Sequence, residues 1–131
     1  MGRLDGKVAI VTGSGRGIGR AVAMTFAREG AKVVIAELDL EPAEEVASDI
    51  KSAGGMAIAV STDVSNRESV KKMVEAALKT FVQIDILVNN AGLFAALKQK
   101  PFWEIDSDEW DRVMGVNVKG SFHGARAVFP A

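Results

Sequence analysis

Cysteine is absent from the 131 residues, which excludes disulfides and thiolate metal sites and fits a reducing compartment. A surplus of charge is nearly absent too: 16 Lys and Arg stand against 17 Asp and Glu. With no excess cations to neutralise phosphates, nucleic acid is not expected as a main partner. Apolar runs are only a few residues long, far short of the roughly 20 that cross a bilayer, so no membrane partner is expected. The first residues, Met1 to Lys7, lack the charged and then apolar order of a secretory signal. A cytoplasmic location and no bound metal are the resulting expectations.

What remains is a globular balance, 48% apolar and 25% charged, in one domain long enough to bury a core. Short apolar runs alternate with amphipathic stretches. Val8–Val11, Lys32–Ala36, Met56–Val60 and Ile84–Val88 read as strands, the first able to be buried on both faces as parallel strands are. Ile18–Glu29 carries Ile18, Val22, Thr25 and Phe26 on one helical face and is closed by Gly30. Glu41–Ala53 begins with Pro42 in its first turn, a position proline suits. Asn66–Phe81 places Val70, Met73, Val74, Ala77, Leu78 and Phe81 at helical spacing. Helical sequence resumes near Ser107, with Trp110, Val113 and Met114 on a face. Strands alternating with helices predict an α/β fold, a doubly wound parallel sheet with right-handed crossovers and helices on both faces.

The first strand runs into Thr12-Gly13-Ser14-Gly15-Arg16-Gly17-Ile18-Gly19. A glycine-rich turn between a buried strand and a helix leaves helical N–H groups pointing outward, an anion site reinforced by the helix dipole. The strand before and the helix after supply the context that a pyrophosphate loop requires, and no Gly-Lys-Ser/Thr ending marks a P-loop. A dinucleotide also calls for an acid at the end of the second strand, about 20 residues on, to hold ribose hydroxyls. Glu37 stands there. A structural turn and a solvated acid are the bland readings of each feature alone; their combination favours the dinucleotide. Asp63-Val64 follows the third strand and Asn89-Asn90-Ala91-Gly92 the fourth. With strand order 3-2-1-4, the winding reverses between strands one and four, so the glycine loop and the Asn-Asn-Ala-Gly segment flank one crevice.

These residues resemble the short-chain dehydrogenase/reductase family. Its TGxxxGxG pattern is met by Thr12, Gly13, Gly17 and Gly19, and its NNAG segment stands at 89–92. The resemblance implies that Gly13, Ser14, Gly15, Arg16, Gly17, Ile18 and Gly19 border the pyrophosphate and the nicotinamide-side ribose. It implies that Glu37 and Leu38 hold the adenosine ribose and that Asp63, with Val64 beside it, takes the adenine amino group. Asn89, Ala91 and Gly92 would border the adenosine half, and Asn117, in Asn117-Val118-Lys119-Gly120, matches the family's catalytic Asn. A carboxylate at Glu37 repels a 2′-phosphate, which favours NAD over NADP. Arg16 pulls the other way, because similar enzymes use a base there for that phosphate.

The family moves a hydride between nicotinamide and an alcohol or ketone, with a Ser, a Tyr and a Lys acting on the substrate oxygen. This chain has no tyrosine. The residues Lys119 to Ala131 read as an interior helix, apolar at Phe122, Ala125, Val128 and Phe129. Ile86–Asn89 would otherwise be an exposed apolar sheet edge. The expectation is therefore a dinucleotide-binding domain over 1–131, cut before a fifth strand and a YxxxK segment, inactive alone. The full-length parent would be an oxidoreductase and a homo-oligomer, dimer or tetramer, acting on a small-molecule alcohol or ketone. A non-catalytic dinucleotide-binding or assembly fragment is the alternative, and a methyltransferase suits the glycine spacing poorly. His123 is expected on a helix surface, and Leu93–Phe102 as one wall of a substrate pocket.

Overall fold

The computed structural model describes residues 2–94 and 97–131. Strand β1 (Val8–Thr12) leads to helix α1 (Gly17–Arg28), then β2 (Lys32–Glu37), α2 (Leu40–Ser52), β3 (Ala57–Ser61), α3 (Arg67–Phe81) and β4 (Ile86–Val88). A short 3-10 turn, Phe102–Glu104, precedes α4 (Ser107–Met114), which passes through a π-helical turn, Gly115–Lys119, into α5 (Gly120–Val128). The four strands form one parallel sheet in the order β3-β2-β1-β4, as the alternation of elements predicts.

Side chains alternate between the two faces of a strand, so a central strand covered on both must be apolar throughout. β1 is buried along its whole length. Val8 and Ile10 join Val34, Val70, Met73, Ala77 and Phe81 in one core, beneath α3 and α5. Val11 joins Ala23, Val33, Ile35, Val46 and Ile50 in the other, beneath α1 and α2. Helices thus lie on both faces.

Two strand starts shift. The fourth strand pairs only from Ile86, because Asp85 serves the entry to the sheet: its backbone N–H donates to Val8 O at 2.9 Å and its carboxylate accepts from Val8 N at 2.8 Å. The backbone N–H of Val8 and a donor amide on Gln83 hold the Asp85 carboxyl below the usual carboxylate range. The third strand pairs from Ala57, with Met56 exposed.

Ile18 does not face the core. It is 77% exposed at the first turn of α1, where the helix has risen clear of the sheet, while Ala23 makes the buried contact. His123 is likewise not a surface residue. It is 6% exposed, because α5 turns that face onto the loop after β3.

Candidate functional site: a crevice at the carboxyl ends of β1, β2, β3 and β4

The floor of the crevice is built around one hydroxyl. Thr12, buried at the end of β1, donates to Val88 O at 3.3 Å and accepts from the N–H groups of Asn90 and Ala91, each at 3.0 Å. A hydroxyl has one donor and two acceptor lone pairs, so all are engaged. The Asn90 side chain adds a bond from Nδ2 to Gly13 O at 3.2 Å. The glycine loop and the Asn-Asn-Ala-Gly segment are therefore stitched together, as the winding reversal requires.

Two glycines of the loop answer to space. Gly13 has φ +65°, and a Cβ there would lie 2.8 Å from Ala91 Cα. A Cβ on Gly19 would collide with Gly13 O, so α1 could not start this close to the strand. Ser14 is fully buried and turns its hydroxyl inward, donating to Val11 O at 2.6 Å, so it supports the loop from within.

Beyond this, α1 begins with nothing capping it. Arg16, its N-cap, has extended backbone and makes no side-chain cap, and no acid lies in the first turn. The helix thus presents Gly17, Ile18 and Gly19 with their N–H groups and the positive end of the dipole. A Cβ at Gly17 would meet nothing within 4 Å, so open space faces the loop. Such a cradle fits a phosphate group.

Glu37 closes the next side. Its Oε1 accepts from Gly15 N at 3.1 Å, and its Oε2 from Asp39 N at 3.4 Å. A Cβ on Gly15 would meet the Glu37 side chain, so glycine there admits the carboxylate. Arg16 reaches past it to Asp39, 2.9 Å between guanidinium and carboxylate, in an exposed pair. Leu38 is exposed beside them.

Asp63 is half-buried in the loop after β3; its Oδ1 accepts from Ser65 N and Ser65 Oγ, at 3.0 and 2.6 Å. Val64 is buried and belongs to the core, so its side chain is not part of the crevice surface. Asn89 turns away as well, donating from Nδ2 to Ser121 O at 3.3 Å and so tying α5 to the end of β4. Gly92 is exposed.

Asn117 lies in the π-helical turn. Its Oδ1 accepts from Leu93 N at 2.6 Å and its Nδ2 donates to Leu93 O at 3.1 Å, so both ends of the amide clamp one residue. The extra residue of a π turn aims this side chain at the loop after β4. Ala95 and Ala96, within the segment read as a pocket wall, lie outside the described residues. Leu97, Ile105, Trp110, Val113 and Met114 line an apolar cavity of about 290 Å³ beside it.

The crevice thus gathers Gly13 to Gly19, Glu37, Leu38, Asp63, Ala91 and Gly92 at one end of the sheet. Val64 and Asn89 support it from behind. Reading the residues alone gave Thr12 no role at the joint between loops, whereas the asparagines of the Asn-Asn-Ala-Gly segment read as residues that can brace loops, as Asn90 does. Asp39 and His123 carried no signal, since both act through partners distant in the chain.

Comparison with known proteins agrees with this geometry. The family model described as short chain dehydrogenase matches residues 7–131. Sorbitol dehydrogenase of Cereibacter sphaeroides is 44% identical over 96% of this chain and 47% of that protein. Versicolorin reductase of Emericella nidulans is 43% identical over 97% of this chain and 47% of its own. The crystal structure of 3-ketoacyl-(acyl-carrier-protein) reductase from Brucella melitensis complexed with NADH is similar with a TM-score of 0.90. Its identity is 45%, over 97% of this chain and 50% of that one. The chain spans about half the length of the curated relatives it matches. Over that half the pattern is continuous from strand to loop to helix, and the chain belongs to the short chain dehydrogenase family.

Proposed function

We propose that this chain is the dinucleotide-binding half of an NAD-dependent oxidoreductase that moves a hydride between nicotinamide and an alcohol or ketone. The observation that carries the reading is the uncapped start of α1 beneath the glycine loop, with Glu37 set against Gly15. The dinucleotide, when bound, supplies the hydride chemistry. The chain supplies the holding groups: the glycine loop from Gly13 to Gly19 for the pyrophosphate, Glu37 and Leu38 for the adenosine ribose, and Asp63 for the adenine amino group. On the loop the N–H groups at the start of α1 are the donors, because those of Gly13 and Gly15 are taken by Ala36 O and Glu37. Val64 and Asn89 keep their loops in place behind, and Ala91 and Gly92 border the adenosine half. Asn117 fixes Leu93 at the nicotinamide end, and its catalytic role is part of the proposal.

NAD is preferred to NADP on two grounds. The Glu37 carboxylate repels a 2′-phosphate, and Arg16, the nearest base on the loop, is paired with Asp39. Solved relatives carry NADH or NAD in their complexes. With no tyrosine among these residues, the proton-transfer groups are assigned to sequence beyond the 131. A cytoplasmic location belongs to the same proposal, as does a homo-oligomer. For the latter, Trp110, Met114, Val118 and Phe122 stand exposed at intervals of four from α4 through the π-helical turn into α5. The second reading, a non-catalytic binding fragment, is favoured by the missing tyrosine alone.

Calorimetric titration with NADH and NADPH tests the reading. NADH is expected to bind at least about tenfold more tightly, a difference of roughly 1.4 kcal/mol. Equal affinity would remove the NAD assignment, and no binding of either would remove the function. Carbonyl reduction by the whole gene product separates the oxidoreductase from the binding fragment.

A further inference from the structure

The loop after β3 is held by side chains. Asp63 N donates to Ser69 Oγ at 2.8 Å and Ser65 N to Asp63 Oδ1 at 3.0 Å, both partners being close in the chain. The Val64 carbonyl is different. It accepts from Nδ1 of His123, 59 residues away on α5, at 2.8 Å and fully buried. A carbonyl only accepts, so Nδ1 bears the proton that makes this bond. Gly120, one turn earlier, makes the approach possible: a Cβ there would lie 2.6 Å from Val64 Cγ2. Three residues before Gly120, Asn117 clamps Leu93 in the loop after β4.

One continuous helical segment therefore grips both loops at the two ends of the crevice, Asn117 on one and His123 on the other. We propose that His123 is a positioning residue for the adenine end of the nucleotide. By holding Val64 O from α5 it fixes the backbone that carries Asp63, so affinity for the adenosine half depends on how α5 is seated. The inference rests on the assignment of Asp63 to adenine made above. Neither the imidazole nor its partner touches the ligand.

The test compares the purified protein with three variants, titrated with 5′-AMP. Leucine in His123→Leu fills the space without a donor. In His123→Asn the side-chain amide stands where Nδ1 stood, whereas in His123→Gln it reaches the position of Nε2. His123→Leu and His123→Gln are expected to weaken 5′-AMP roughly three- to tenfold, the range of one net hydrogen bond. His123→Asn is expected to stay within about twofold of the parent. Amide hydrogen exchange should quicken at 63–65 in the two weakened variants and not across β1, which a general loss of stability would also move. Equal losses in the Asn and Gln variants, or unchanged binding in all, would overturn the proposal while leaving the cofactor reading intact. A parent protein that binds NADH but not 5′-AMP would also overturn it. Failure of the parent to bind any adenine nucleotide would overturn both.

Discussion

Helices α1 and α3 begin in opposite ways. α3 is closed by its own sequence: Asn66, at the N-cap, accepts from Ser69 N at 3.0 Å, and Glu68 lies in the first turn beside the positive dipole end. α1 is left open, with Arg16 at the N-cap, glycine at 15, 17 and 19, and no acid in its first turn. Both helices follow a strand of the same sheet and pack against it. Helix formation therefore did not require the open start. α2 also lacks a side-chain cap but has Glu41 in its first turn, so among α1, α2 and α3 only α1 has neither a cap nor an acid. In the proposed function its N–H groups serve the dinucleotide.

The largest expected effect comes from closing the gap under α1. Gly19→Ala puts a methyl group against Gly13 O and the Asn90 amide, and backbone cannot yield as a flexible side chain would. A loss of about 3 kcal/mol in urea unfolding is expected, with NADH binding abolished. Unchanged stability would mean that α1 is not seated as closely as described. Asn66→Ala is next, and should cost about 1 kcal/mol through the lost cap. NADH affinity should stay the same, since this helix start holds no ligand in the proposal; a parallel loss of binding would erase the contrast between the two helices. The smallest change is the most telling. Arg16→Ser gives α1 the cap it lacks, at a residue whose backbone is already extended. Urea unfolding should show a gain of about 0.5 kcal/mol without ligand, while NADH binds less tightly because a donor is now engaged. A gain in both would show that the open start serves no ligand.

The fold was legible because its signals are local and repeated. Apolar runs such as Val8–Val11 alternate with helical faces such as Val70–Phe81, and this order admits few topologies. The glycine loop and Glu37 were legible because both sit at strand ends, where chain position and site position coincide. The resemblance supplied the remaining role assignments. Ile18 shares a helical face with Val22 and Phe26 yet stands exposed, because spacing identifies a face but not where along it the helix leaves the sheet. His123 was misjudged because its partner is a backbone carbonyl on another loop, and a carbonyl has no letter in a sequence. The π-helical turn at Gly115–Lys119 was hidden for a related reason. It inserts one residue into a helical register, and Asn117 reveals its aim only once Leu93 is in place.

Thr12 has one further consequence. Its single hydroxyl holds Val88, Asn90 and Ala91 together in the folded chain. A loop that is ordered only when a ligand arrives subtracts that lost freedom from the ligand's affinity. Here the freedom is given up when the sheet forms, as part of the same cooperative event that buries β1. A ligand entering the crevice would then meet a floor already at rest.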